Sequence, residues 1–172
     1  MKIKFLSLAC IILLLVSCKK TQDNTTLDIQ KPVESQKIKE KDIAKIKYTE
    51  YILDSRADDF IMNWKAYAQL QEVIVNLKKA DFSFFENNDK GIIELLRNLK
   101  QNIPAELNTN AIKARVTTLE TKLLKLESLY NLSTTTKPEL IENIKAFLIA
   151  SSNMNLQMNK KIEADNMIIE KP

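Results

Sequence analysis

The sequence predicts an all-α fold: an antiparallel bundle of about four helices, behind an N-terminal stretch of different composition. Three observations carry that expectation. The 172 residues include one Gly and four Pro, too few for a turn-rich β architecture. Leu and Ile recur at steps of three, four and seven over most of the chain, which places them on helical faces. The apolar runs are separated by short polar breaks, and short connections between amphipathic segments favour antiparallel neighbours.

The first helix is expected over 42–80. Ile43, Ile46, Leu53, Ala57, Phe60, Trp64, Tyr67, Ile74 and Leu77 would share one face. Straight, it would be about 58 Å long; Asp54-Ser55 is where a bend would fall, although no Pro or Gly forces one. Phe82, Phe84 and Phe85 follow without a clear period, and Asn87-Asn88-Asp89 offers N-cap candidates. Ile92, Leu95, Leu96 and Leu99, extended by Ile103, form the second stripe, which Pro104 ends.

The third helix, capped by Thr109, has the cleanest seam: Ile112, Val116, Leu119, Leu123, Leu126 and Tyr130 alternate steps of four and three. Thr136-Lys137-Pro138-Glu139 reads as a capping box with Pro in the first turn of the fourth helix. That helix carries Leu140, Ile141, Ile144, Phe147, Leu148, Met154, Met158 and Ile162. Its second half, Ser151 to Asn159, is polar-rich and carries a weaker packing signal. The bundle is expected over 42–165, with a tail at 166–172.

The start of the chain is built differently. Lys2 and Lys4 precede a 12-residue, largely apolar stretch from Phe5 to Val16. A membrane-spanning helix needs about 20 apolar residues, so this stretch reads as a removable targeting segment. It ends in Leu15-Val16-Ser17-Cys18. This resembles the lipobox of bacterial lipoprotein precursors, over residues 1–18. The resemblance implies a signal peptide at 1–17, cleavage between Ser17 and Cys18, a diacylglycerol on the Cys18 thiol and a further acyl chain, of the palmitate kind, on its new amine. Small Ser17 leaves the bond accessible, and only a thiol is nucleophilic enough to form the thioether. Several acyl chains anchor stably where one is marginal. By the family's sorting rule, Lys19 in place of Asp favours the outer membrane over the inner one.

The Lys/Asn-rich body is similar to helical lipoproteins of the Bacteroidota type. The residues after the Cys, Lys19-Lys20-Thr21-Gln22-Asp23-Asn24, match the acidic surface-export signals of that group poorly. Residues 19–41 are polar and unpatterned and read as a flexible tether, with a reach of about 25 Å. A helix starting near Ser35 is also compatible with Ile38.

Composition excludes several function classes. There is no His, so neither a Ser-His triad nor a His-ligated metal is available. One Gly excludes a P-loop and a dinucleotide fingerprint. Both Cys, Cys10 and Cys18, lie at the N-terminus, which leaves the body without a disulfide or a thiol. No cofactor or metal is expected. Of the net charge of +4, Lys2 and Lys4 account for two, and residues 18–41, with six Lys and four acids, for two more. Residues 42–172 carry 18 basic and 18 acidic residues. A neutral body gives no support to nucleic-acid binding, while a basic tether suits an anionic membrane surface.

The candidate surfaces are aromatic. Trp64 and Tyr67, with Phe60, form a stripe at helical spacing, ordinarily core and otherwise the lining of a ligand slot. Phe82, Phe84 and Phe85 read as a cover for one end of the bundle or as a knob for a partner. Met154 and Met158 read as gap-fillers or a soft binding face. Asp58 and Asp59 are adjacent and so do not face each other, a poor acid–base dyad. Arg115, beside the third seam, would hold a carboxylate or lie along the surface.

The expectation is therefore a non-enzymatic, membrane-anchored envelope module. Its partner would be an unidentified envelope protein or a second copy. The alternative is a helical carrier or sensor of an apolar small molecule.

Overall fold

The computed structural model describes residues 37–167. The expected signal peptide, Cys18, the expected tether up to residue 36 and residues 168–172 of the expected tail lie outside the described residues. Six α-helices and no β-strand occur among those described, so the fold is an all-α bundle. They are α1 (Glu40–Ile43), α2 (Asp58–Ile61), α3 (Lys65–Lys78), α4 (Asp89–Gln101), α5 (Asn110–Asn131) and α6 (Lys137–Asn166). Single 3₁₀ turns precede α2, α4 and α5 at Ser55–Ala57, Ser83–Phe85 and Ala105–Leu107.

The helices from α4 onward follow the apolar periodicity. Ile92, Leu95, Leu96 and Leu99 of α4 are buried, as is Ile103 just beyond it. Ile112, Val116, Leu119, Leu123 and Leu126 form the buried seam of α5 and pack along α6, the most extensive helix pairing in the body. The Thr109 hydroxyl accepts from the Ile112 N–H at 3.3 Å, and the Thr136 hydroxyl from the Glu139 N–H at 3.4 Å, satisfying donors at the two helix starts. Asn88 precedes α4, but its side chain caps nothing there; its Nδ2 donates back to the Phe84 carbonyl at 3.0 Å.

The expected long helix over 42–80 is absent. In its place stand α1, a non-helical stretch over 44–54, a 3₁₀ turn, and the separate helices α2 and α3. The apolar positions expected on one face are nonetheless buried or half-buried, distributed over these pieces. Asp54 marks the end of the stretch: its carboxylate accepts from the Arg56 N–H at 2.9 Å and caps the 3₁₀ turn. Folded structure also begins before residue 42. Ile38 is buried, and the Lys39 N–H donates to the Asp42 carboxylate at 2.9 Å to start α1.

The end of α3 is closed by a Schellman-type pair: the Asp81 N–H donates to the Asn76 carbonyl at 3.0 Å and the Ala80 N–H to the Leu77 carbonyl at 2.9 Å. This requires a left-handed residue at 80, and Ala80 supplies it at φ 60° without being a glycine. The one glycine, Gly91, lies in the first turn of α4, where an added Cβ would meet the Asn88 side chain at 2.4 Å.

Candidate functional site

The most organised polar arrangement in the described body lies where the sequence signal for packing is weakest, along the second half of α6. Ser152, Asn155 and Asn159 are spaced three and four apart and so form one stripe. Residues 49–54 run extended across that stripe, and their main chain is bonded to it. The Tyr51 N–H donates to Ser152 Oγ at 2.7 Å, and that hydroxyl donates to the Thr49 carbonyl at 2.8 Å. Asn155 Nδ2 donates to the Tyr51 carbonyl at 3.0 Å. Asn159 uses both ends of its amide: Nδ2 donates to the Ile52 carbonyl and Oδ1 accepts from the Asp54 N–H, each at 2.8 Å.

The chemistry explains the residue types. An extended segment beside a helix has main-chain donors and acceptors that the helix backbone, bonded to itself, cannot meet. An amide or hydroxyl side chain offers a donor and an acceptor on one short stem. The polar stripe therefore does for this segment what a neighbouring strand would do in a sheet. α6 is consequently packed on two faces. Met154, Met158 and Ile162 are buried toward the apolar core, and Ser151, Ser152 and Asn155 are buried as well.

Asn155 joins this ladder to the core. Its Oδ1 accepts from the Tyr67 hydroxyl of α3 at 3.0 Å. Burial pushes the Tyr67 phenol up to about 12, against the opposing effect of that hydrogen bond. Tyr67 stacks on Trp64 with ring centroids 5.4 Å apart, and both are buried. The Trp64 Nε1 has no hydrogen-bond partner among the described residues. Two cavities in the described body are lined by neither of these rings.

The Phe cluster divides. Phe85 is fully buried, and Phe82 is buried and stacked on Tyr130 at 4.8 Å, with ring planes 4° apart. Phe84 is half-buried, edge-on to Phe85 at 5.7 Å, and borders a surface groove of about 270 Å³ with Gln69, Glu72, Val73, Asn76 and Ser83. Asn131 ties this end of the bundle together, its Nδ2 donating to the Phe85 carbonyl at 2.9 Å. Asp58, Asp59 and Arg115 are exposed.

Ion pairs fasten the N-terminal arm at two points. Lys137 Nζ meets the Asp42 carboxylate at 2.6 Å, and Lys78 pairs with Glu50. The bond from Lys137 is the main cause that holds the Asp42 carboxyl below the ordinary carboxylate range. The Arg56 side chain, with its N–H, holds Asp54 down to about 2. Among the described residues no group of three or more His, Cys, Asp or Glu stands close enough to hold a metal. Nor, among them, is any helix long and apolar enough to cross a membrane.

Ser152, Asn155 and Asn159 were not singled out by sequence reasoning. The signal was present as polar residues at helical spacing beside buried methionines, but its meaning depends on where residues 49–54 lie. No family model, curated protein or solved structure matches the chain.

Proposed function

We propose that this chain is a lipid-anchored protein of the bacterial cell envelope, whose helical body serves as a non-enzymatic interaction module. One observation carries the reading: Leu15-Val16-Ser17-Cys18 closes an apolar stretch that begins just after Lys2 and Lys4. The thiol of Cys18 would take the diacylglycerol, and Lys19 directs the protein to the outer membrane by the family's rule. Lys19 and Lys20, set beside the anchor, add attraction to anionic headgroups.

The body fits this role better than that of a carrier. A bound apolar molecule needs a pocket of roughly 300 Å³ or more that encloses it. Trp64 and Tyr67 are instead committed to each other and to Asn155. Cys18→Ser followed by detergent phase partitioning tests the anchor: wild type enters the detergent phase and the variant the aqueous phase. Identical partitioning of the two into the aqueous phase would refute it. Crosslinking in intact cells tests the module, and recovery of monomer alone would count against it.

A further inference from the structure

Residues 44–54 are held unlike any other part of the described chain. None of their side chains is buried, and Ile52 is 83% exposed. Its main chain is held by Ser152, Asn155 and Asn159, Ile46, Tyr48 and Leu53 pack half-buried against the core, and Glu50 pairs with Lys78. Beneath it lies a polar cavity of about 20 Å³, bordered by Tyr48, Gln71, Ser151 and Ser152. Gln71 Nε2 is buried there without a partner among the described residues. A segment with few buried apolar contacts over a polar layer is among the first parts of a fold to open.

The arm also carries contacts that depend on its sequence. Ile38 and Ile43 are buried against the body, Asp42 pairs with Lys137, and Glu50 pairs with Lys78. We propose that the surface between α3 and α6 is an exchange site for the arm, residues 37–54, of a second copy of this chain. The two arms cross reciprocally, and the Asp54–Arg56 turn acts as the hinge. A second copy is the occupant because it repeats every contact. An unrelated extended peptide meets the Ser152, Asn155 and Asn159 ladder but leaves Lys78 and Lys137 without their carboxylates. Exchange of identical elements needs no new interface chemistry, so its main cost is that of association. A membrane anchor would reduce that cost by concentrating the copies. This names the partner in the interaction-module reading and rests on it.

The test uses the full chain in non-ionic detergent, with Cys10 and Cys18 replaced by Ser so that its outcome is independent of the anchor. Two differently tagged variants, Glu50→Cys and Lys78→Cys, are mixed, co-refolded at high protein concentration and treated with a short bismaleimide. Each variant removes one member of a surface ion pair, a change that leaves folding intact. The expected result is a mixed-tag crosslinked dimer several-fold more abundant than from Glu50→Cys mixed with Lys113→Cys, whose thiol is exposed on α5. Equal yields overturn the proposal. Excess synthetic peptide of residues 37–54 is expected to suppress the dimer, whereas its scrambled sequence is not. Equal suppression by both would overturn the assignment to a second copy.

Discussion

Ala80 occupies a left-handed conformation at φ 60°, where its Cβ crowds the following carbonyl. The Asp81–Asn76 and Ala80–Leu77 hydrogen bonds hold it there. Ala80→Gly removes that crowding and is expected to raise stability by about 1 kcal/mol, read as a shift in denaturant midpoint at constant slope. Asp54 supplies a second residue-scale test. Its folded pKa lies below the ordinary 3.8, at about 2, because of Arg56. Its contribution is therefore complete above the ordinary value and disappears as pH falls through about 2. A carboxyl-carbon NMR titration should place the Asp54 midpoint near 2, and Arg56→Ala should return it toward 3.8. Phe85, fully buried between Phe82, Phe84 and Tyr130, is a third: Phe85→Ala should cost about 3–5 kcal/mol in chemical denaturation.

Among the elements, legibility tracked how completely one face decides the structure. The seams of α4 and α5 are apolar on one side and polar on the other, and their stripes were readable residue by residue. The Thr109 and Thr136 caps were readable because a hydroxyl before a helical run has a local task. Residues 44–54 were not readable. Ile46 and Leu53 fit the spacing of the helix expected over 42–80, but Tyr48, Thr49, Tyr51 and Ile52 are β-branched or aromatic types suited to extended chain. What decides between the two is the ladder supplied by residues about 100 positions away, Ser152, Asn155 and Asn159. Local periodicity carries no information about such partners. The element-scale prediction follows. Ser152→Ala with Asn159→Ala should abolish amide-exchange protection at Tyr51 and Asp54, while leaving Leu119 and Leu123 of α5 protected. Equal protection at all four positions in the variant would show that the ladder does not hold the segment.

For the whole molecule, the start of the fold redivides the charge. Residues 42–172 are neutral, but folded structure begins at residue 37, so Lys37, Lys39, Glu40 and Lys41 belong to the described body and give it a net charge of +2, with 20 basic and 18 acidic residues, while residues 18–36 balance at three Lys and three acids. The fold class was legible because composition and period agree over most of the chain. Of the candidate aromatic residues, Trp64 and Tyr67 are core, as their helical spacing implies, Phe82 and Phe85 are buried, and Phe84 alone of the five is half-exposed at a groove. The extended segment and its ladder, with the exchange proposed for them, add a means of contact between copies that no motif in the sequence announces. The account rests most heavily on the lipidation proposed for Cys18, which would join this body to a membrane. The most direct measurement is the intact mass of the protein purified from bacterial membranes. The account predicts a chain that starts at Cys18 and carries a diacylglycerol with a further acyl group. A chain that still starts at Met1, or a processed chain with a free Cys18 thiol, would contradict it.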